Sequence, residues 1–407
     1  MNSAKTAESR PGFVEFVVLL ALIISMVALS IDAMLPALPD IARDLQVAKI
    51  NDSQYVILVF FAGMALGQIM FGPLSDAVGR RPAILSGFAC FMLGCVMSVT
   101  ATSFEWMLIG RFLQGLGASG PRIVSVALIR DRYKGREMAR VMSFIMTVFI
   151  LVPVFAPALG QLVLILADWR AIFVLFLGLS LLVAVWFWIR QPETLTPEKR
   201  IPFSLAQLYI DLCAILRLRA ALGYTLTMGF TFGAFIGYLS SSQQIFQVQY
   251  GLEKLFPLYF GILACSIGAA SLANAKLVMR LGMRPLSRFA LNAITVLSFL
   301  FLVFAWMQNG HPPLLLLMVY LLIIFFFFGI LFGNLNAMAM EPLGHIAGLG
   351  SAVVGSVSTL ISVGFGVLIA EAYNQTVLPL VAGFALLGLA GVAATRWTER
   401  GLVPEQS

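Results

Sequence analysis

Long apolar runs alternate with short polar stretches along the whole chain of 407 residues. A helix needs about 20 apolar residues to cross a bilayer, and twelve runs approach that length. The breaks between them are short and contain the Gly and Pro residues that are typical of turns. The pattern predicts an all-α membrane protein with twelve transmembrane helices, at residues 14–37, 54–75, 82–101, 104–129, 140–166, 169–189, 221–246, 255–279, 285–307, 313–338, 347–370 and 376–396.

Composition supports lipid as the natural solvent. The chain is 60% hydrophobic and only 11% charged, whereas soluble domains average about 25% charged residues. The first apolar run is longer than the core of a signal peptide and lacks a cleavage site followed by a soluble domain. We therefore interpret it as a retained first helix.

The charge distribution predicts which side of the membrane each loop occupies. With both termini inside, the inside segments hold 20 of the 26 Lys and Arg residues, the outside loops hold four, and Arg111 and Arg122 remain within a helix. Loops rich in Lys and Arg stay in the cytoplasm, so both termini are predicted to be cytoplasmic. We interpret the formal charge of +7 as an orientation signal and expect no nucleic-acid partner.

The polar stretch 190–218 divides six apolar runs from six, and residues 203–216 within it could form an amphipathic helix on the membrane surface. The halves echo each other, because Gly79-Arg80-Arg81-Pro82 recurs as Gly282-Met283-Arg284-Pro285 at an offset of 203 residues. Such a repeat indicates two parallel bundles with the substrate path between them. The predicted parts are an N-terminal six-helix bundle, a cytoplasmic linker and a C-terminal six-helix bundle, at residues 1–189, 190–218 and 219–407.

Charged residues within the predicted helices are functional candidates, because each costs roughly 2.5–3.5 kcal/mol to insert into hydrocarbon. Asp32 lies in the first apolar segment, and Arg111 lies at a comparable depth in the fourth. An acid among apolar residues holds its proton more tightly, so Asp32 could take up a proton on one side and release it on the other. The alternative is a fixed ion pair between Asp32 and Arg111, and the sequence leaves both open. Glu341 and Glu371, at the ends of their segments, are further candidates for a proton carrier.

Arg122, also in the fourth segment, follows Pro121 and so lies beside a possible kink. Its side chain could face the cavity or could extend to the membrane surface. In the cavity, it would make the binding site less than purely acidic, and the site would not select cations alone.

The fifth segment contains Pro153, Pro157 and Gly160, which share one helix face. Proline bends a membrane helix, and small residues let a neighbouring helix approach closely. We predict a role for this face in conformational change; the alternative is an ordinary proline kink.

A charged turn between residues 72 and 82 joins the second and third segments. Asp76 could face the N-terminus of a helix from the other half, where the helix dipole favours negative charge, and the two arginines could reach Asp131. Such contacts would form a latch that breaks on opening; the alternative is a solvated charged loop. The residues assigned to gating here are Gly72, Asp76, Gly79, Arg80, Arg81 and Asp131.

Uncharged polar and aromatic residues in the apolar segments are weaker candidates, because each belongs more often to the core. Amide groups could bind a substrate by hydrogen bonds, and aromatic rings could form an apolar wall. The residues predicted to line the cavity together with Arg122 are Gln68, Gln114, Gln243, Gln244, Asn334, Asn336, Phe60, Phe61 and Tyr238.

No residue pattern predicts a metal, a cofactor or an enzymatic site. The four cysteines show no CxxC spacing, and the two histidines, His311 and His345, lie in no ligand motif. A GxSxG motif or a paired carboxylate motif is also missing from the sequence. An intramembrane enzyme and a passive channel are therefore the least supported functions.

Four motifs resemble those of one transporter family, and together they cover most of the chain. The turn Gly72-Pro73-Leu74-Ser75-Asp76-Ala77-Val78-Gly79-Arg80-Arg81-Pro82 resembles the signature loop of the major facilitator superfamily, except that Ala77 replaces a usual basic residue. Arg111-Phe112-Leu113-Gln114-Gly115-Leu116-Gly117 resembles the helix 4 motif of proton-coupled members. The Pro-x-x-Ala-Pro-x-x-Gly pattern of residues 153–160 resembles the antiporter motif of helix 5. With Glu341-Pro342-Leu343-Gly344-His345, these motifs are most similar to the bicyclomycin/chloramphenicol-resistance (Bcr/CflA) type of drug:proton antiporter.

The resemblance implies a proton-coupled transporter that exports small amphiphilic compounds or antibiotics by alternating access. It also implies a monomer in the bacterial cytoplasmic (inner) membrane, with a small-molecule substrate, protons and the lipid bilayer as its partners. Asp32 and Arg111 would couple transport to protons, with Arg111 placed near the proton site. The alternative on the same scaffold is a proton-coupled metabolite or siderophore transporter, because a fold does not fix a substrate.

Overall fold

The structure, a computed structural model, describes residues 11–400, apart from the side chains of Ile50, Ala139, His345 and Ala347. These residues form α-helices and no strand, and twelve helical segments are long and apolar enough to cross a membrane. The prediction of an all-α protein with twelve transmembrane helices is confirmed. The helices are α1 Phe13–Asp32, α2 Leu38–Asp44, α3 Tyr55–Val78, α4 Arg80–Val99, α5 Phe104–Arg132, α6 Gly135–Leu166, α7 Arg170–Arg190, α8 Leu205–Arg217, α9 Arg219–Gln243, α10 Phe256–Leu281, α11 Met283–Met307, α12 Leu314–Met340, α13 Ala347–Glu371 and α14 Leu378–Glu399.

The first membrane segment is the one that differs most from its prediction of a continuous helix over 14–37. Regular α-helix ends at Asp32, a 3₁₀ turn follows at Leu35–Ala37, and the short α2 begins at Leu38. The prolines at positions 36 and 39 explain the break, since proline lacks the N–H that continues the helical hydrogen bonds. As a result, Asp32 occupies a helix C-terminus instead of a helix interior.

Helix α5 packs closely against its neighbours α3 and α4 through glycines. A Cβ atom added at Gly115 would collide with the backbone carbonyl of Phe60 in α3. Another added at Gly94 in α4 would lie 2.5 Å from the carbonyl oxygen of Gly110. The missing side chains therefore let the backbones touch, as in other membrane helix pairs.

Two glycines form equivalent joints in the two halves of the chain. Gly79 separates α3 from α4 with φ of +109°, and Gly282 separates α10 from α11 with φ of +77°. Residues other than glycine rarely adopt such backbone angles, so each tight turn requires glycine. The tetrapeptide echo thus reflects the same single-residue joint between successive helices.

Helices α1 and α3–α7 contact one another extensively, and so do α9–α14; we call these groups the first half and the second half. The main contacts between them are α3 with α13 and α6 with α10. We call the end of the bundle that carries Gly79, Gly282 and residues 191–204 the linker end, and the opposite end the far end. The division at 190–218 and the cytoplasmic position of the linker end stay predictions.

The linker contains α8, close to the amphipathic helix predicted at 203–216. The Ser204 side chain accepts a hydrogen bond from the backbone N–H of Gln207 at 3.2 Å and caps the helix N-terminus. The helix contacts α9 and α13, while Leu205, Tyr209 and Ile210 are exposed. An exposed apolar face beside a membrane bundle is what a surface-lying helix presents to lipid.

The glycine packing around α5 generates a stability prediction. Gly115→Ala forces a methyl group against the Phe60 carbonyl and should destabilise the protein by about 1–3 kcal/mol. Gly178→Ala in α7 is the matched control, because nothing lies within 4 Å of the added Cβ. Size-exclusion profiles of heated, detergent-solubilised protein give the apparent melting temperature. Equal melting temperatures for the two variants would contradict the close contact.

Candidate functional site

Asp32 is a buried carboxylic acid at the C-terminal end of α1, with 5% of its surface exposed. Within residues 11–400, its carboxyl group has no hydrogen-bond or ion-pair partner. The next residue, Ala33, contacts α6, since a Cβ at Gly160 would collide with the Ala33 carbonyl. The Asp32 carboxyl group therefore lies where α1 meets the helix that also contacts the second half.

Tyr238 of α9 faces Asp32 from the second half. It is 1% exposed, and its hydroxyl group is buried without a hydrogen-bond partner. The Asp32 carboxylate acts on this tyrosine electrostatically. Two polar groups without a hydrogen-bond partner among residues 11–400, one from each half, thus lie within electrostatic range of each other.

An aromatic cluster surrounds Tyr238 in the second half. Its ring lies edge-on to Phe325 with centroids 4.6 Å apart, and it stacks on Phe235 and Phe260 at 6.3 and 6.0 Å. Phe332 extends the cluster through its contact with Phe235 at 5.6 Å. Sequence reasoning found Tyr238 but missed Phe332, because a Phe in an apolar run carries no signal of its neighbours.

Arg111 is bonded within the first half and makes no ion pair with Asp32. Its guanidinium group donates to the backbone carbonyls of Val56 at 2.9 Å and Ser30 at 3.2 Å, and to the side chain of Gln114 at 2.5 Å. The fixed ion pair that the sequence left open is therefore not found. Through Ser30, however, the Arg111 charge is attached to the turn of α1 that carries Asp32.

Two predicted cavity residues belong to the packing around Arg111 instead. Gln114 accepts from Arg111 and donates to the Ser98 hydroxyl at 2.9 Å, with no exposed surface. Phe60 is equally buried and lies under the guanidinium group, 4.5 Å from its carbon to the ring centroid. A buried arginine needs these partners, which explains why both side chains pack around Arg111 within the first half.

The amide side chains of the second half that were predicted to line the cavity have different surroundings in the structure. Asn334 exchanges two hydrogen bonds with Asn274 of α10, at 3.0 and 2.9 Å, so it joins α12 to α10. Gln243 donates to Gln247 at 3.0 Å within the irregular end of α9. Asn336 is exposed and remains able to meet a ligand.

Two further residues predicted to line the cavity, Gln68 and Phe61, lie on α3, which contacts α13 of the second half, and Arg122 lies on α5. Gln68 is buried, and its amide oxygen lies 2.5 Å from the position of a Cβ atom at Gly355 of α13. Phe61, two turns earlier on α3, packs edge-on to Phe60 and is 9% exposed. Arg122 of α5 is partly exposed, and the one acceptor it has among the described residues 11–400 is the sulfur atom of Met64, at 3.6 Å.

The far end is closed by hydrogen bonds between the halves. Asn51 donates to the backbone carbonyl of Tyr373 at 2.9 Å, and the Tyr55 hydroxyl donates to Glu371 at 2.6 Å. Gln54 donates to the side chain of Gln244 at 2.5 Å. Gln244 was predicted to line the cavity, but it belongs to this closure. The polar run 51–54, immediately before an apolar segment, was the sequence signal for it.

Helix α6 runs unbroken from Gly135 to Leu166 through both of its prolines. It contacts α1 through Gly160 and contacts α10 through Val154, whose carbonyl oxygen lies 3.0 Å from a Cβ position at Gly261. The predicted face with Pro153 and Pro157 therefore belongs to a helix that touches both halves. A second close approach joins α3 to α13, at Gly72 and Ala352, where an added Cβ would lie 3.3 Å away.

At the linker end, Arg80 is the centre of an ion-pair network. It contacts Asp76 at 2.5 Å and Asp131 at 3.2 Å, and it donates to the Ser75 hydroxyl at 2.8 Å. Arg81 was also predicted to reach Asp131, but it donates to the backbone carbonyl of Trp188 at 2.5 Å. The predicted contact of Arg80 with Asp131 is thus found, whereas Arg81 joins α4 to α7 instead of reaching Asp131.

Glu193 is the residue of this network that sequence reasoning missed. Its carboxylate accepts hydrogen bonds from the backbone N–H groups of Arg80 at 2.9 Å and Arg81 at 3.0 Å. It also accepts from the N–H groups of Thr194 and Leu195, both at 2.9 Å. A carboxylate at a helix N-terminus is stabilised by the free N–H groups and the helix dipole. The first residues of the linker therefore cap α4.

Removing this cap should loosen the start of α4. In Glu193→Ala, loss of an N-terminal cap worth about 0.5–2 kcal/mol should speed amide exchange at residues 79–81 roughly two- to thirtyfold. Glu198→Ala is the control in the same linker: hydrogen bonds to its own backbone and to Thr196 lower the pKa of Glu198, and neither partner belongs to α4. Hydrogen–deuterium exchange with mass spectrometry measures the rates. Unchanged exchange at residues 79–81 in Glu193→Ala would contradict the capping role.

Comparisons with known proteins agree with this geometry. A family model described as Major Facilitator Superfamily matches residues 20–367. The chain is 31% identical over 349 residues to "Uncharacterized MFS-type transporter YdgK" of Bacillus subtilis (strain 168), covering 84% of this chain and 86% of that protein. It is 29% identical over 368 residues to "Bicyclomycin resistance protein homolog" of Haemophilus influenzae, covering 90% of this chain and 91% of that protein.

The fold is also found among solved structures. A crystal structure of the peptide transporter POT in complex with sulfate superposes with a TM-score of 0.75, covering 98% of each chain at 15% sequence identity. At this identity, the likeness concerns the fold.

Proposed function

This chain belongs to the Major Facilitator Superfamily, and we propose that it exports small amphiphilic compounds, antibiotics among them, in exchange for protons. That it is a multi-pass membrane transporter, and not an enzyme, follows from the family and from the twelve spanning helices. The family prediction drawn from the motifs is confirmed. The predicted location in a bacterial inner membrane agrees with the bacterial relatives.

The observation that carries the proposal is the unpartnered Asp32 carboxyl group. It is buried at the C-terminal end of α1, next to the contact of Ala33 with α6 and within electrostatic range of Tyr238 of the second half, at a depth where a permanent charge would be expensive. A group in this position is neutral when protonated and strongly drawn to positive charge when it loses the proton. Asp32 therefore carries the proton in the proposed mechanism, and Arg111 supplies positive charge to the same turn of α1 through Ser30.

Alternating access supplies the transport step. The bonds of Asn51, Gln54 and Tyr55 to the second half favour a state that is closed at the far end. The Arg80 network lies at the opposite end, where its ion pairs join α3, α4 and α5 within the first half and would keep that half together as it moves. Proton release from Asp32 and substrate exchange would then occur on opposite sides of one central site.

The energy available from one proton suffices for useful export. A membrane potential of ~150 mV moves one charge with roughly 3.5 kcal/mol, which supports a concentration ratio of a few hundredfold. Small amphiphilic substrates are supported by the Haemophilus influenzae relative, whose name refers to bicyclomycin resistance, and by the aromatic wall around Tyr238.

Asp32→Asn tests the proposal because asparagine keeps the shape of the side chain but cannot ionise, so it cannot release and take up a proton during transport. In proteoliposomes with an internal pH dye, candidate antibiotics should trigger proton movement through the wild type, and Asp32→Asn should reduce it to the background of empty vesicles. Asp211→Asn is the matched control, since Asp211 lies on α8 and bonds only Gln207 among its neighbours on that helix.

Proton movement that survives in Asp32→Asn would remove Asp32 from the proposed role and direct the search to Glu371 or Glu341. If no antibiotic moves protons through the wild type, while a metabolite does, the alternative of a metabolite transporter is correct.

A further inference from the structure

Two arginines lie on almost the same face of α5, eleven residues apart, but their surroundings differ. Arg111 has no exposed surface, donates to three oxygen acceptors and lies over the ring of Phe60. Arg122 is partly exposed, and the one acceptor found for it among residues 11–400 is the sulfur of Met64. A thioether is a weak acceptor, so most of the five N–H donors of Arg122 are free to bind something else.

The position of Arg122 excludes an explanation by the membrane surface. It lies about 27 Å from the start of α5 and about 15 Å from its end at 1.5 Å per residue. Helical side chains lean toward the helix N-terminus, here toward the far end, and the contact with Met64 agrees with that direction. The guanidinium group therefore lies at mid-depth, and it does not extend to the nearer surface.

The acceptor of Arg122 belongs to α3, the helix that contacts α13 of the second half. Met64 is one turn from Gln68, whose amide oxygen touches α13 at Gly355. Gly63 and Gly67, on the other side of Met64, pack on the backbone of α5. Met64 thus lies between the positions of α3 that pack on α5 and the position that packs on α13 of the second half.

A cation at this depth without an anion is costly, and the protein supplies no carboxylate within ion-pair distance of Arg122 among residues 11–400. Asp76 pairs with Arg80 at the linker end, and Asp32 lies within electrostatic range of Tyr238. We propose that the transported substrate supplies the missing anion: Arg122 binds a carboxylate or similar acidic group, while the aromatic cluster around Tyr238 holds the apolar part. The substrates would then be amphiphilic organic acids.

This inference rests on the proposed transport function and narrows its substrate class. A guanidinium group forms two parallel hydrogen bonds with a carboxylate, a geometry that a neutral amide does not reproduce. Arg122 would thus select by charge, whereas Asp32 would serve the proton. The two ionisable groups occupy different helices and different depths, so one can be changed without removing the other.

The test compares a naphthalene carboxylate with its primary amide, which has nearly the same shape and no charge. Equilibrium binding to purified full-length protein gives Kd for both probes in the wild type, Arg122→Gln, Arg122→Lys and Arg217→Gln. Since hydrogen bonds to charged groups are individually strong, the wild type should prefer the carboxylate by about tenfold or more. Arg122→Gln should abolish this preference, and Arg122→Lys, which keeps the charge but loses the paired geometry, should retain part of it.

Arg217→Gln is the control, because Arg217 is an exposed arginine on α8, and it should leave the ratio of the two Kd values as in the wild type. Equal binding of the two probes by the wild type, or a preference that persists in Arg122→Gln, would overturn the inference. Size-exclusion profiles establish that each variant is folded, and Arg122→Lys decides the question if Arg122→Gln does not fold.

Transport separates this inference from the proposed function. Proton movement driven by neutral or cationic amphiphiles, with no binding of the carboxylate, overturns the anion site and leaves proton-coupled export in place. Carboxylate binding and counterflow that require Arg122, with no proton movement for any amphiphile, keep the anion site and overturn proton-coupled export.

Discussion

The dominant constraint on this molecule is the cost of holding a charge at membrane depth. Arg111 meets it by complete bonding: two backbone carbonyls, one amide and an aromatic ring surround a guanidinium group with no exposed surface. That arrangement requires α1 and α3 to lie close to α5, which the glycines of α3 and α5 permit. The packing of the first half and the placement of Asp32 beside the second half both follow from it.

The sequence predicted the features that depend on one segment at a time. The twelve helices follow from apolar length, and the joint at Gly79 follows from a Gly between charged and apolar runs. Predictions from the sequence were wrong where side chains of several segments meet. Gln114 and Asn334 were assigned to the cavity because an amide in an apolar run needs a partner, but the partners are Arg111 and Asn274 inside each half. A pattern along one helix does not say which neighbour satisfies a buried polar group.

The two halves share a backbone plan but divide the chemistry. The first half contains both mid-depth arginines and Asp32, whereas the corresponding part of the second half is an aromatic cluster built on Tyr238, Phe235 and Phe325. The two halves therefore share the glycine joint between successive helices, while the side chains that fill them differ. Glu193 lies between α7 and α8 and belongs to neither half, so the repeat between the halves does not predict its role.

Most of the linker is held by contacts with the two halves. Glu193 binds the start of α4, the N–H of Ile201 donates to the carbonyl of Asp76 at 3.0 Å, and α8, which begins at Leu205, contacts α9 and α13. Only residues 202–204 lie between the two anchored parts, and an extended chain spans at most about 3.5 Å per residue. When fully extended, the segment between Ile201 and the start of α8 therefore spans at most roughly 10–14 Å. Any wider separation at the linker end must first detach Ile201 or lift α8, so the linker sets the amplitude of opening.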